Sequence, residues 1–533
     1  MKVRAWFGAS MVAALLAVSL VSTDPPAQER PTLVVVIVVD QLRADLIQRY
    51  SPAFEGGFRR LLDEGYQFTS ASQAHAVTHT AAGHATLSTG VFPSRSGIVA
   101  NDWSQRRGDA WSPMYAVQDA DSPILGVEGL TGRSPRNLLR PGLADWVLAA
   151  DPDARVVSLS GKDRAAITLA GQTRGEVFWM VPELGRFVTS TYYRTEYPGW
   201  VQRVNAEIMP QILADSTWVQ SVDERFRHLA RPDSAPYEGD GIHTTFPHLA
   251  SEEVAWTDST AMDPIEFNTW ALAQPRLDHA VAELARRAID ELDLGQRGSV
   301  DYLAVSFSAT DYVGHRYGPL SQEQLDNLVR LDRELGGLLD QLDQRVGRER
   351  WVLGLSADHG VMDMPEWTAQ NGGTASRTSL PELQQGLVKA LREAAAEGTE
   401  PPYWFAQRLA TLLRERGLVA EAYTTHDLTV GEPSDSFGTL MRNSYYPGRA
   451  PGWLTRYGVE MRFGYDQLVH AATGTTHGSP YWYDRHVPLI LLGPGVTPGQ
   501  SDEAAYTVDF APTLAALVGI PVPDDLDGRA LHP

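Results

Sequence analysis

A doubly wound α/β architecture around a largely parallel sheet is what the alternation of apolar runs in this 533-residue chain encodes. Three observations carry that expectation. The runs TLVVVIVVD, DYLAVSFSAT and WVLGLSADHG are apolar without strict alternation, as strands buried on both faces must be. Between the last two lies DNLVRLDRELGGLLDQLDQ, residues 326–344, with apolar positions near helical spacing, as a crossover helix requires. Each strand-like run ends in, or is followed by, an aspartate, which gathers polar chemistry at the carboxyl edge of the sheet, where open α/β sheets bind ligands.

Taken in order, the strands are predicted at 32–40, 155–160, 301–307, 351–356 and 487–493, the last being VPLILLG before a GPG turn. Ahead of them, Lys2 and Arg4 precede the apolar run AWFGASMVAALLAVSLVS, and the chain then turns polar at TDPPAQER. The run is short for a spanning helix of about 20 residues. It reads as a signal peptide over residues 1–24, removed on export, so that no stable membrane insertion follows. The catalytic domain is assigned to 30–533, with insertions at about 165–295 and 361–475, far longer than a usual loop of about 4–6 residues. The first is aromatic-rich in FWMVPELGRFVTSTYYRTEYPGW, and the second holds the helical stretch LPELQQGLVKALREAAAEG. Both emerge beside ligand-bearing strands and are positioned to cap the site; contact with a second copy or plain decoration is the alternative.

Composition narrows the function. With 43% hydrophobic residues the chain has material for a large core, and its formal charge of −21 opposes nonspecific binding to nucleic acid or anionic membrane. A local cationic pocket for an anionic substrate stays compatible with that charge. The chain has no cysteine, which excludes a disulfide framework and a lipid-anchoring cysteine. An exported protein of this kind rests on core packing and bound metal, in the periplasm or outside the cell. No oligomeric state is assigned.

Six residues are candidate metal ligands: Asp40, Asp311, His315, Asp358, His359 and His477. Taken singly, an aspartate after a strand often only caps the next helix. The spacing of Asp311 and His315 in DYVGH, however, puts both on one face of a helical turn. The ADHG doublet places two ligand types at a sharp turn with little structural purpose, and His477 in TGTTHGSPYWYD gains weight from this company. Together they indicate a bimetallic hydrolase. Mixed aspartate and histidine donors suit zinc better than magnesium or calcium.

Thr80 in THTAAGHATLSTG is the candidate nucleophile. It stands at the start of a helix, where free N–H groups and the positive end of the helix dipole favour an alkoxide or a phosphate oxygen. The plain alternative is that Thr80 is a helix N-cap. Thr78 is its rival for the role, and His84 is placed to brace the turn. Lys162 and Arg164 in LSGKDRAAI form a pair of cations after a strand, a guanidinium fork and a compact charge suited to a terminal phosphoryl group. Asn101 in ANDW offers a neutral donor to a further oxygen. Surface pairing with Asp163 is the ordinary alternative for the cations, and turn chemistry for Asn101.

These motifs resemble the alkaline phosphatase superfamily across the core from Asp40 to the Tyr-Trp-Tyr-Asp stretch after His477. More narrowly, Thr80, Asn101 and the Lys162–Arg164 pair resemble the phosphate-irrepressible periplasmic alkaline phosphatases. The resemblance implies a three-layer α/β/α sandwich and two zinc ions, one held by Asp311, His315 and His477, the other surrounded by Asp40, Thr80, Asp358 and His359. It also implies that Lys162, Arg164 and Asn101 contact the nonbridging oxygens of small-molecule phosphate esters, and that hydrolysis passes through a phosphothreonine. Thr replaces the serine of the best-known bacterial enzymes, and their carboxylate set for magnesium has no clear counterpart, so magnesium is not expected. The second reading is a nucleotide pyrophosphatase or phosphodiesterase with the same ligands. Arg164 and Lys162 disfavour it, because a diester puts a second substituent where they would clasp free oxygens. A sulfatase lacks its usual cysteine here, and a noncatalytic secreted metal-binding protein has no use for the nucleophile.

Overall fold

Strand β1 (Leu33–Val39) is buried along its whole length, because LVVVIVV presents an apolar side chain to both faces. The computed structural model describes residues 30–257, 261–396, 402–431, 433 and 435–533; the segment expected to be a signal peptide lies outside them. Around β1 the central sheet adds β2 (Tyr66–Ser72), β3 (Val156–Ser160), β4 (Glu176–Val181), β5 (Arg186–Val188), β6 (Asp301–Phe307), β7 (Trp351–Ser356), β8 (Leu489–Leu492) and β9 (Gly499–Tyr506). Their order is β9-β2-β8-β7-β1-β6-β3-β4-β5. β1 pairs in parallel with β6 and β7, β6 with β3, and β3 with β4, so the sheet is largely parallel as expected. β8 runs antiparallel between β7 and β2. Its direction brings the chain that precedes it, including His477, to the edge where β1, β6 and β7 end.

Helices flank both faces. They include α1 (Thr80–Thr89), α2 (Asp163–Leu169), α3 (Arg276–Glu291), α4 (Ala309–Tyr317), α5 (Gln322–Arg345) and α6 (Phe510–Val518). Alternate residues of β1 divide between two cores. Leu33, Val35, Ile37 and Val39 pack with Leu277 and Leu284 of α3 and Leu328 and Leu335 of α5. Val34, Val36 and Val38 pack with Phe510 and Leu514 of α6 and with Trp146. The result is a three-layer α/β/α sandwich. The predicted crossover helix is α5, which begins at a Ser321 N-cap whose side chain accepts from Gln324 N.

The stretch 165–295, read from its length as one insertion, is divided. Its beginning supplies most of α2 together with β4 and β5, and its end supplies α3, all part of the sandwich. EVFWMV reads as part of an aromatic-rich decoration because aromatic clustering, unlike periodicity, does not reveal a strand edge; in the structure it is an almost wholly buried strand. The residues between are held to α4 and α5 by polar contacts. Asp326 accepts from Trp218 Nε1 at 2.8 Å and from Ser221 Oγ at 2.7 Å, and His248 lies 2.9 Å from Glu253 and 3.2 Å from Glu323. The stretch 361–475 has an apolar cluster of its own around Leu383, Leu387, Leu409, Leu413 and Leu454. Its helix Ser436–Ser444 docks on the loop before α1, where Ser444 Oγ accepts from Ala76 N at 2.8 Å and Val77 N at 3.1 Å. Among the described residues no helix is long and apolar enough to cross a membrane.

The His248 contacts make the first insertion sensitive to alkali. Burial lowers the affinity of His248 for its proton, but the flanking Glu253 and Glu323 outweigh it and raise its pKa to about 9. A histidine raised in this way stabilises fully below its unfolded pKa of about 6.5 and loses that stabilisation as pH rises through about 9. The protection factors of residues 216–254 in hydrogen exchange, taken relative to the intrinsic rate at each pH, are expected to fall between neutral pH and pH values above the shifted pKa, with up to about 3 kcal/mol lost. A His248→Gln variant is expected to flatten that pH dependence.

Candidate active site

Thr80 is the first residue of α1, and all ten residues of that helix are buried. His79, not Thr80, occupies the N-cap position, with an extended backbone and no side-chain cap. The capping bond comes instead from Asn101, whose Oδ1 accepts from Ala81 N at 2.8 Å. The Thr80 hydroxyl therefore has no capping duty, and it lies 3.5 Å from His359 Nε2. Gly83 makes this approach possible: a Cβ there would sit 2.2 Å from the carbonyl oxygen of Asp358. The rival Thr78 is engaged in the loop, donating to Ser479 O at 3.0 Å and accepting from Gly478 N at 3.2 Å. His84 braces the turn, with Nδ1 2.9 Å from Thr80 O and Nε2 2.8 Å from Ser306 Oγ.

The six predicted ligands converge at the carboxyl edge of β1, β6 and β7. Asp311 and His315 share one face of α4, with Oδ1 to Nε2 at 3.2 Å, and His477 Nε2 lies 3.6 Å from the same Oδ1. His359 Nε2 lies 3.6 Å from Asp40 Oδ1 and 3.4 Å from Asp358 Oδ2, and its ring stacks on His477 at 3.5 Å. His315, His359 and His477 each turn Nδ1 to a backbone carbonyl, of Thr475 at 2.8 Å, Gly360 at 3.0 Å and Thr78 at 2.6 Å. In the neutral ring this puts the hydrogen on Nδ1 and aims the Nε2 lone pair at the carboxylates, the arrangement of metal-binding histidines.

Charge in this space is unbalanced. Lys162 Nζ sits 2.7 Å from Asp40 Oδ2 and also pairs with Asp311. Burial opposes ionisation of Asp311, yet Lys162 and His315 hold its pKa well below the usual range. Asp40 is pushed well above that range, first by burial and then by the Asp358 charge. Burial also opposes charge on Asp358, which His359 and His84 hold low. Asp40 Oδ1 is buried without a hydrogen bond among the described residues, while Asp358 Oδ2 lies 3.2 Å from His84 Nδ1 and 3.4 Å from His359 Nε2. An unbonded Asp40 Oδ1, oriented Nε2 atoms and one lysine for three aspartates fit a cation-binding centre. Two groups of ligand atoms lie within 4.8 Å of one another, Asp311 with His315 and His477, and Asp40 with Asp311 and His359, so Asp311 belongs to both.

The predicted anion-binding residues divide. Lys162 is buried and engaged by two ligand carboxylates, with Tyr312 beneath it at 5.1 Å. Arg164 keeps its charge available. Its neighbour Asp163 is taken up by Tyr115 and by Arg133 Nε at 2.6 Å, while among the described residues Arg164 Nε is buried without a partner and Nη1 reaches only the Tyr115 hydroxyl, at 3.5 Å. Sequence reasoning missed Gln41, which donates to Asp311 and to Asp358, and the part of Tyr115 and Arg133 in engaging Asp163. Adjacency to Asp40 is the signal that could have found Gln41; Tyr115 and Arg133 carry none. A cavity of about 930 Å³ lined by Trp200, Arg276 and Glu334 includes none of the predicted site residues.

Residues 34–375 match the family of type I phosphodiesterases and nucleotide pyrophosphatases. The chain belongs to that family. Within its alkaline phosphatase superfamily, this phosphodiesterase-family chain is similar over nearly its whole length to named alkaline phosphatases. PhoV of Synechococcus elongatus is 30% identical across 96% of this chain and 94% of its own. PafA of Elizabethkingia meningoseptica is 30% identical across 97% and 98%. The crystal structure of wild-type alkaline phosphatase PafA superposes with a TM-score of 0.84 at 28% identity, covering 94% of this chain and 98% of that one.

The ion pairs of Lys162 generate a test on this family member. Lys162→Ala is expected to destabilise the metal-free protein by about 3–5 kcal/mol, because it leaves buried carboxylates unpaired. Chemical denaturation with and without zinc checks it, and zinc is expected to recover part of the loss.

Proposed function

We propose that this protein is an alkaline phosphatase, a metal-dependent hydrolase of phosphate monoesters, with Thr80 as its nucleophile. The observation that carries the reading is the Thr80 hydroxyl, free of capping duty at a helix N-terminus, 3.5 Å from His359 Nε2 and beside the buried carboxylates of Asp40 and Asp358. The named alkaline phosphatases that match almost the whole chain support it.

Asp311, His315 and His477 are proposed to hold one zinc ion, and Asp40, Asp358 and His359, with Thr80, the other. Bound there, zinc supplies Lewis-acid charge that acidifies a hydroxyl and neutralises a leaving oxygen. The oriented Nε2 atoms and mixed nitrogen and oxygen donors support that choice of metal. Asp311, whose Oδ1 contacts two histidines and which groups with Asp40 and His359 as well, would couple the two positions.

In the reaction, Thr80 Oγ1 bonds to phosphorus and gives up its proton as the ester P–O bond breaks and the alcohol leaves. Water then attacks phosphorus, the Oγ1–P bond breaks, and inorganic phosphate is released with the Thr80 hydroxyl restored. The amino end of α1 faces this charge with its dipole. Arg164, with Nε unpartnered, and Asn101, whose Nδ2 has no protein acceptor among the described residues, would hold nonbridging oxygens. Lys162 would act from between Asp40 and Asp311, keeping their charges compatible and adding a fixed cation to the phosphoryl pocket.

Residues 30–533 are read as one catalytic domain, since β1 and β9 at opposite ends of the chain share a sheet, with insertions that brace the site. The apolar run after Lys2 and Arg4 supports export to the periplasm or beyond.

The zinc-loaded protein is expected to hydrolyse aryl phosphate monoesters with higher kcat/KM than diesters, and to lose activity to a chelator. A higher efficiency on diesters would return the nucleotide pyrophosphatase reading. Thr80→Ala is expected to abolish the covalent phosphoenzyme seen by acid-quench trapping, and a persisting signal would place the nucleophile elsewhere. Arg164→Ala is expected to cost about 10²–10³-fold in monoester turnover and much less for a diester, in steady-state kinetics on both substrates.

A further inference from the structure

Gln41 touches two of the site's three carboxylates and adjoins the third, although nothing in its type marks it. It directly follows Asp40, is fully buried, and has φ of +67°. Among the described residues only Asp293 is another non-glycine with positive φ. A left-handed backbone costs a side chain of this kind about 1–2 kcal/mol, and glycine would adopt it freely. The strain is matched by two bonds. The backbone N–H of Gln41 donates to Asp358 Oδ1 at 3.1 Å, and its side-chain Nε2 donates to Asp311 Oδ1 at 2.8 Å.

One residue thus grips the carboxylates that leave β6 and β7 while joined by a peptide bond to the one that leaves β1. Gly314, between Asp311 and His315, is shaped to it: a Cβ there would come within 1.9 Å of Gln41 Oε1. The oxygen it grips on Asp311 is the one that faces His315 Nε2 at 3.2 Å and His477 Nε2 at 3.6 Å. Lys162 holds the other oxygen. With both oxygens held, the Asp311 carboxylate has a single orientation. Partners that orient a metal-binding side chain in this way typically contribute about 10–100-fold to metal affinity.

We propose that Gln41 is a positioning residue that sets the orientation of Asp311 and the spacing of the two ligand groups, and so governs how tightly metal is held at the groups Asp311 shares. The inference rests on the reading that these groups bind metal. It adds that the strained backbone at Gln41 is maintained for metal retention and not for the stability of the fold.

The test measures zinc retention and stability separately on the full-length protein. Zinc content is followed by elemental analysis during titration with a competing chromophoric chelator, and unfolding of chelator-stripped protein is followed by denaturant. Gln41→Gly relieves the strain, keeps the backbone bond to Asp358 and removes the amide. Its metal-free form is expected to be at least as stable as wild type, while zinc affinity falls about 10–100-fold. Gln41→Met, of similar length but without a donor, is expected to lose affinity similarly, and it carries the test if the glycine variant does not fold. Wild-type zinc affinity in both variants overturns the proposal. A loss of affinity that merely accompanies an equal loss of metal-free stability also overturns it, because the role is then structural. If the wild-type protein itself retains no zinc, the failure lies with the metal reading and not with Gln41 alone.

Discussion

Three carboxylates meet in a space from which water is largely excluded, and the need to neutralise them organises everything around it. Asp40, Asp311 and Asp358 arrive from the ends of three adjacent strands, so the parallel order of β7, β1 and β6 brings like charges together. Removing a charge from water costs several kcal/mol even after the protein relaxes. Lys162 answers for two of the three, and burial together with the Asp358 charge still leaves Asp40 resisting ionisation. The histidines complete the arrangement by aiming their Nε2 atoms inward. A site so built is poorly satisfied alone and better satisfied with a bound metal cation.

The same demand explains the close packing of α1. TAAGHATLST has few large side chains, and Gly83 lets the helix touch the backbone of Asp358. That contact places a hydroxyl next to His359 without using it for capping, since Asn101 supplies the capping bond. Neighbouring elements hold the approach rigid. The second insertion pins the preceding loop through Ser444, and Tyr115 and Arg133 occupy Asp163 so that it does not quench Arg164. A chain with formal charge −21 thereby keeps the Arg164 guanidinium unquenched by Asp163 beside its buried carboxylates.

Legibility of the fold followed burial. Strands apolar on both faces, such as β1, β6 and β7, were apparent within about a residue of their ends, because a run of branched apolar residues has few other uses. β4 was not, since EVFWMV stands in an aromatic-rich stretch whose composition reads equally as decoration. The helical turn linking Asp311 to His315 was readable from four-residue spacing alone.

The chain by itself determined which side chains could hold metal, where a hydroxyl would meet a helix dipole, and which cations could face a phosphoryl group, because residue type and local periodicity are properties of neighbours in sequence. The tertiary structure decided the rest. It made Asp311 a member of both ligand groups, gave Lys162 to two carboxylates, put His79 in the cap position, and turned Gln41 into a left-handed clamp between Asp311 and Asp358. Each of these depends on distances between segments far apart in the chain. Sheet register and the close approach allowed by Gly83 and Gly314 set those distances, and no local pattern encodes them.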